Sequence, residues 1–351
     1  MAALTDTELQ DAVVSVGNKA FNKYEGRLSN YGALQAFMDG SNLLLPQSQI
    51  EGMKKSDVQV TKIPVLNKFN STILTARACT ITGPTRTSSF KALSYVTKGF
   101  EIAVSDAINA GNYISRSEDF AMQMLQGLKA VYNSLDIAAI ASLETNRNTT
   151  LVESVLETIT DATGDYEEND LNDLYYDIPT LMKLNDLGLD GGKLANIMNT
   201  ESVKTMLKYE SQGQNNAINL AGILNGTIES AGNYQHYQTN NITLGANREV
   251  HYVAPVEALG LFTWQPFDYR NKGISGDGKK YYTLTDPILG IEWGVIEQTL
   301  CADLSAQSTG MTAALQTKYS FTADFSFMTA YSSDADTPIV KFIAPKVPIS
   351  S

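Results

Sequence analysis

The segment VQVTKIPVLNKFNSTILTARACTITGPTRTSSFKALSYVTKGF, residues 58–100, contains no Asp or Glu. It carries six basic residues: Lys62, Lys68, Arg77, Arg86, Lys91 and Lys98. The whole chain of 351 residues has a formal net charge of −12, so everything outside this segment is more acidic still. A cationic stretch on an acidic body reads as an arm made to lie on something negative, either a nucleic acid or another copy of the same body. The segment is rich in Thr, Val and Ile, which suit a pleated surface. Thr75, Arg77, Cys79 and Ile81 fall on one face; Ala76, Ala78, Thr80 and Thr82 fall on the other. Gly83-Pro84 marks a turn near the middle. The pattern predicts a two-stranded ribbon with a reach of up to roughly 65 Å if fully extended. A ribbon of that length is marginal alone in water and needs a surface to lie on.

Outward from the ribbon the chain changes character. Met1 to Asp57 reads as an arm with modest local structure: a short helix over Thr5 to Gly17, and a stop at Leu43-Leu44-Leu45-Pro46. On the far side Phe100, Ile102 and Val104 alternate as a strand leading back to the body. Ser115-Arg-Ser-Glu118 has the spacing of a capping box. Phe120, Met124, Leu128, Val131 and Leu135 then recur every three or four residues, predicting one long core helix from Ser115 to about Leu143. Leu151 to Asp190 is the acidic counterweight, with eleven acids against Lys183 alone. Within it Leu171, Leu174, Tyr175 and Ile178 have helical spacing, interrupted by Pro179. Strands are expected over Glu249 to Val253 and Ile339 to Ile343; Lys193 to Met198 is a short apolar segment, with a capped helix after Thr200-Glu201. The cleanest strand pattern is Tyr319, Phe321, Phe325, Phe327 and Tyr331 alternating with polar neighbours and Met328.

Composition excludes several classes. No run of about 18 apolar residues is present, so no membrane partner is expected, and the N-terminal residues lack the pattern of a signal peptide. The two cysteines, Cys79 and Cys301, read as reduced thiols made in a cytoplasm. The acidic balance is a poor basis for a dedicated nucleic-acid binder. The ribbon's aromatics, Phe69, Phe90 and Tyr95, are also too sparse for a single-strand stacking surface.

Catalytic chemistry has little to work with. His236 and His251 stand at no diagnostic spacing from a Cys, Ser or acid and read as structural or surface residues. No zinc motif occurs. Gly273-Ile-Ser-Gly-Asp-Gly278-Lys279 matches most of a phosphate-binding loop. However, Lys280 replaces the magnesium-binding hydroxyl and a strand-like run follows where a helix is required. A glycine-rich hairpin is the better reading. Asp165-Tyr-Glu167-Glu168-Asn-Asp170 spaces its acids like a calcium loop but lacks the central Gly and terminal Glu, and reads as a solvated loop entering a helix. No cofactor, metal or catalytic residue is assigned, and the protein is not expected to be an enzyme.

This order of parts resembles the major capsid proteins of tailed bacteriophages, the Hong Kong 97-type fold. The resemblance is carried by the arm, the extended ribbon, the strand Glu101 to Asp106 and the long helix. It is also carried by Asn196-Ile-Met-Asn-Thr200-Glu-Ser-Val-Lys-Thr-Met-Leu207 and Gly222-Ile-Leu-Asn-Gly226-Thr-Ile. It implies an α+β fold with an N-terminal arm over 1–57 and an E-loop over 58–100. A P-domain with its spine helix would cover 101–169, an A-domain 170–306 and returning P-domain strands 307–351. The implied function is self-assembly into an icosahedral shell around double-stranded DNA, in the virion, after synthesis in the bacterial host cytoplasm. The implied partners are copies of itself in hexamers and pentamers, a portal, a separate scaffolding protein, and packaged DNA through non-specific contact only. The intersubunit contact would come from Lys62, Lys68, Arg77, Arg86, Lys91 and Lys98, meeting acids of the neighbour, with Leu151 to Asp190 the first place to look. The cross-linking Lys–Asn chemistry of some members is not transferred, because nothing marks a pair. Other readings stay open: an encapsulin-like nanocompartment shell, a tail-tube or sheath protein, or a monomeric acidic protein binding a carbohydrate or metal. Charge reversal at Arg77 and Lys91 is expected to block or misdirect assembly while leaving the monomer folded. Normal particles from that double variant, seen by electron microscopy, would sink the electrostatic argument.

Overall fold

The structure is a computed structural model. It describes residues 9–15, 31–66, 88–105, 116–149, 159–160, 165–167, 174–185, 193–205, 234–245, 247–270, 273–274, 278–303, 313–329 and 337–345. The fold is α+β. Helix α1 covers 9–15. Helices α2 (Gly32–Leu44) and α3 (Gln47–Lys55) precede a small ribbon of β1 (Lys62–Leu66) and β2 (Ser88–Ala92). Then come β3 (Val96–Val104) and the long helix α4 (Arg116–Thr145). Short strands β4 (Ile159–Thr160) and β5 (Tyr166–Glu167) lead to helix α5 (Leu174–Leu184), which contains Pro179. Strands β6 (Leu194–Asn199), β7 (Tyr234–Thr239), β8 (Asn247–Pro255) and β9 (Leu259–Trp264) follow, then a one-turn helix α6 (Phe267–Arg270). The chain closes with β10 (Gly273–Ile274), β11 (Lys279–Thr285), β12 (Glu292–Asp303), β13 (Ala313–Thr329) and β14 (Val340–Pro345).

Two six-stranded sheets carry the body. The first runs β10-β11-β12-β13-β3, all antiparallel, with β9 also paired to β13. β13 is 17 residues long and changes partner along one edge: β12 as far as Thr322, then β9 from Asp324. Gln265 fills that junction, its side-chain amide donating to the carbonyls of Glu292 and Thr322. The second sheet runs β4-β5-β14-β8-β6-β7 and is mixed, with β14–β5 and β6–β7 parallel.

The expected alternation in β13 produces its buried face: Tyr319, Phe321, Ala323 and Phe325. Phe321 stacks on Phe100 at 4.7 Å, and Phe120 of α4 meets Tyr319 edge-on at 5.1 Å. Phe100 also meets Trp293 at 5.7 Å. Such aromatic pairs contribute about 0.5–1.5 kcal/mol beyond their area. Helix α4 approaches the sheet at Gly127, where a Cβ would stand 2.3 Å from the Phe100 ring. Its predicted apolar stripe is buried, and so are Tyr132, Asp136, Ala139 and Leu143. The capping residue Ser115 lies outside the described residues.

Alternate residues of the second sheet serve two cores. Ala195, Ile197, Val250, Tyr252, Ala254 and Ile343 join the main core with α2 and α4. Leu194, Met198, Val253, Val340 and Phe342 face α5 through Tyr175, Ile178, Leu181 and Met182. Helices α2 and α4 therefore lie between the two sheets.

Several expectations are corrected. The arm over 1–57 includes α2, whose Ala33, Leu34, Ala36 and Phe37 are wholly buried. Its only charge is Asp39, and helices apolar on most sides belong in cores. Gly32 and Gly40 seat it against backbone, since a Cβ would meet Gln238 at 2.5 Å and Leu259 and Val256 carbonyls at 2.3 Å. The ribbon ends at Ala92, because Val96 to Phe100 pair with β13 as part of the body. Sheet membership also crosses the expected domain limits. β9 to β12, expected in the A-domain, pair into the sheet of β3 and β13, whereas β14 joins β8 and β5. Asp165 is not in a solvated loop: it is buried, paired to Arg147 and lying 2.8 Å from Lys341 Nζ. By contrast, the glycine-rich hairpin reading agrees with the structure: Gly273 and Ile274 pair antiparallel with Tyr281 and Lys280, while residues 275–277 lie outside the described residues.

Two buried carboxylates position α4. Asp136 Oδ1 accepts from Leu34 N at 3.0 Å, and its Oδ2 accepts from Thr239 Oγ1 at 2.5 Å and Asn241 Nδ2 at 2.9 Å. It thus caps α2 from another helix, where Tyr31 at the N-cap supplies no side-chain bond. Burial raises its pKa, and these hydrogen bonds offset part of that rise. Asp286 accepts from Tyr132 Oη, from the amides of Ile288, Leu289 and Ile291, and from Trp293 Nε1. Gln123 works differently: its side-chain amide donates to Ala103 O at 3.0 Å and accepts from Ala103 N at 3.1 Å, pairing with the outer edge of β3 as a strand would. Asp136→Ala strands three donors and is expected to cost about 3 kcal/mol or more. Asp136→Asn retains one acceptor and is expected to cost about half as much, which urea unfolding measures. Equal stability of both variants with the parent would refute the capping role.

Candidate intersubunit interface

The ribbon is the candidate surface, and its geometry begins at the root. Ile63 and Leu93 pack with Ile50, Phe262 and Met328 into a small third core. Leu93 N donates to Thr61 O at 2.8 Å, closing the ladder. The Ser56 carbonyl accepts from Trp264 Nε1 at 3.0 Å and from Arg270 Nη2 at 2.8 Å. Asp324 of β13 accepts from Gln59 Nε2 at 2.7 Å and Thr97 Oγ1 at 2.5 Å, so both legs meet one carboxylate. Burial, helped by Asp324, pushes Tyr95 up to about 12. The ribbon therefore leaves the body in a fixed direction.

Five registered pairs hold β1 to β2. Opposite residues share a face. Lys62 with Ala92 and Pro64 with Phe90 form an exposed outer face, with Phe90 70% exposed. Ile63 with Lys91 forms the inner face, and Lys91 already has a partner within the chain. Lys98 sits in β3 opposite Ala323, on the body and not on the ribbon. Lys68, Arg77 and Arg86 lie outside the described residues, as do Cys79 and the Gly83-Pro84 turn. Cys301 is a free, exposed thiol on β12. The three described cations thus occupy three different settings. The sequence reading counted Phe90 among the ribbon's sparse aromatics without placing it; its position on the face opposite to buried Leu93 puts it outward. The acids of Leu151 to Asp190 are partly spent internally, since Asp165 is locked to Arg147 and Lys341.

The second sheet holds a buried polar row. Asn196 Nδ2 donates to His236 Nδ1 at 3.1 Å, and Asn196 Oδ1 lies 3.2 Å from His251 Nδ1. His251 Nε2 lies 3.6 Å from Glu249 Oε2, and Thr205 Oγ1 donates to Glu249 Oε1 at 2.8 Å. Burial holds His251 below its ordinary value. Burial pushes Glu249 up, but His251, Thr205 and Arg248 outweigh it and leave the carboxyl below the usual range. The row runs across β7, β6 and β8 and ties the three strands together. Among the described residues no three His, Cys, Asp or Glu side chains gather to hold a metal, and no helix is long and apolar enough to cross a membrane.

No family model and no curated protein matches the chain. Among solved structures it is similar to one described as Mycobacterium phage Che8, at 12% identity and a TM-score of 0.48, covering 85% of this chain and 89% of that one. It is also similar to the capsid structure of the Cyanophage P-SCSP1u, at 12% identity and a TM-score of 0.44, covering 82% and 83%. The Cyanophage Pam1 capsid asymmetric unit gives 8% identity and a TM-score of 0.45, covering 84% and 87%.

Acid is expected to weaken the second sheet. The unfolded chain protonates His251 near 6.5 and Glu249 near 4.5, ahead of the folded chain in both cases. Stability is therefore present above about 6.5 and lost progressively as pH falls. His251→Gln should flatten the fall of Tm between pH 6.5 and 5; an unchanged slope would refute the assignment.

Proposed function

We propose that this protein is the major capsid protein of a tailed bacteriophage, of the Hong Kong 97 type. Its copies assemble into an icosahedral shell around a double-stranded DNA genome. The observation that carries this reading is the mounted ribbon: a cationic, acid-free extension, clamped at its root through Ser56 and Asp324, that presents Lys62, Pro64 and Phe90 to solvent. The order of parts supports it: the ribbon runs into β3, and a 30-residue helix packs on that strand's sheet.

The mechanism is assembly without turnover. Head-to-tail contacts that close by rotation build rings of six and five. Each ribbon lies on an acidic neighbour, and burying Phe90 there contributes roughly 1.5–3 kcal/mol. The basic residues set register and suppress wrong pairings more than they add affinity. A portal and a separate scaffolding protein complete the set of partners, and contact with packaged DNA is non-specific.

Negative-stain imaging of the purified chain tests the reading, with closed shells expected. Phe90→Ala combined with Lys62→Glu should leave circular dichroism unchanged and reduce shell yield by at least about tenfold. A chain that stays monomeric, or forms helical tubes, overturns the reading. Particles enclosing a cargo protein without nucleic acid identify a nanocompartment instead.

A further inference from the structure

Each link of the polar row across the second sheet has a direction as well as a length. Asn196 of β6 is wholly buried between two histidines. Its amide nitrogen lies 3.1 Å from His236 Nδ1 on β7, and its oxygen lies 3.2 Å from His251 Nδ1 on β8. These are its only side-chain partners among the described residues. His251 is also wholly buried, and its Nε2 lies 3.6 Å from Oε2 of buried Glu249. An amide nitrogen only donates, an amide oxygen only accepts, and a neutral imidazole has one donor and one acceptor. In this orientation His236 Nδ1 accepts and His251 Nδ1 carries a hydrogen. A neutral His251 would then point the bare lone pair of Nε2 at a carboxylate oxygen. The orientation is satisfied when one further proton lies between Nε2 and Glu249. The row without that proton needs the opposite orientation. There the Asn196 oxygen accepts from His236 Nδ1–H, the nitrogen donates to His251 Nδ1, and His251 Nε2–H donates to Glu249. The two ends of an amide are nearly equal in size, so half a turn about χ2 exchanges them without moving a neighbour.

We propose that this row is a one-proton switch: proton uptake by His251 turns the Asn196 amide over and moves the hydrogen of His236 from Nδ1 to Nε2. One proton enters from water, and the remaining hydrogens are redistributed within the row. Titration of a histidine inside the sheet is thereby passed to β7, its edge strand. The groups that face His251 suit a switch that turns in mild acid. On β8 Glu249 favours the imidazolium, and Arg248 at 3.3 Å and Thr205 help to keep that carboxylate ionised. From β7, His236 opposes a second positive charge. From α5, Tyr175 stands edge-on, 6.0 Å from His251 and 5.7 Å from His236. Met198 of β6 and Phe342 of β14 lie opposite His251 and carry no charge. Burial holds His251 below its ordinary value, so the proton-free row prevails at neutral pH and the switch turns as pH falls below about 6.5. The row lies within one chain, so the switch works in free chain and assembled shell alike.

Magic-angle-spinning NMR of the full chain, labelled with ¹³C,¹⁵N-histidine, reads the hydrogen on each ring nitrogen in particles or in sedimented free chain. The chain has two histidines. Added ¹³C-valine marks His251, which follows Val250, and leaves His236, which follows Gln235, unmarked. At about pH 8 His236 is expected to carry its hydrogen on Nδ1 and His251 on Nε2. At about pH 5 His251 is expected to carry both hydrogens and His236 to carry its own on Nε2, the two changes sharing one midpoint below 6.5. A His236 that keeps its tautomer, or gains a second proton, while His251 titrates overturns the switch. So does a His251 that stays neutral to pH 5 or is already charged at pH 8. Asn196→Asp accepts from both rings and donates to neither. In that variant His251 is expected to titrate at least about one pH unit higher, with His236 held at Nδ1–H throughout. Tautomers that still change together there overturn the role of the amide, and a variant that fails to fold leaves the decision to the unmodified chain.

Discussion

Asp136 sits where the two halves of the body have to agree. One oxygen closes the start of α2, and the other receives Thr239 and Asn241 at the end of β7. The helix that carries it packs on the opposite sheet through Phe120 and Gly127. A buried carboxylate is costly unless every lone pair finds a donor. That cost turns a packing arrangement into a specific one: α2, α4 and β7 satisfy the acid only in this disposition. Tyr132, one turn earlier on α4, does the same for Asp286 and the β11–β12 turn. The ribbon inherits its direction from this scaffold, since its root is clamped to β9 and β13.

Charge is used in two ways. Buried acids such as Asp136, Asp165 and Asp286 organise the interior and are matched by donors inside the chain. Exposed cations such as Lys62, Lys54 and Lys55 have no such match among the described residues. The net charge of −12 is therefore not a uniform coat: Lys193, Lys204 and Lys318 also stand exposed without an ion pair to any described residue.

Local periodicity made part of this legible. The long helix, the alternation of β13 and the β10–β11 hairpin each repeat a pattern within one stretch of chain, and the ribbon's first rungs match the predicted strands. What escaped notice depends on partners far away in sequence. Asp136 has the outward look of a polar helix residue, and only Leu34 and Thr239, about 100 positions away, make it a core residue. Helix α2 does carry a one-sided apolar stripe through Ala33, Leu34 and Phe37, but Gly32 and Gly40, poor helix formers, disguise it. The exchange of strands between sheets was equally hidden, because β9 and β14 read alike as buried runs whichever sheet they join.

Gln123 has a consequence for solubility. An unpaired strand edge is a template on which further chains add, and a protein that accumulates to high concentration is exposed to that hazard. By bonding both backbone groups of Ala103, the Gln123 amide ends the outer edge of β3 with a side chain that cannot pass the pairing on. A foreign strand arriving at this edge finds its register interrupted at Ala103, near the end of the strand. The long helix thus closes one position on the edge of the sheet it rests on, through a single amide.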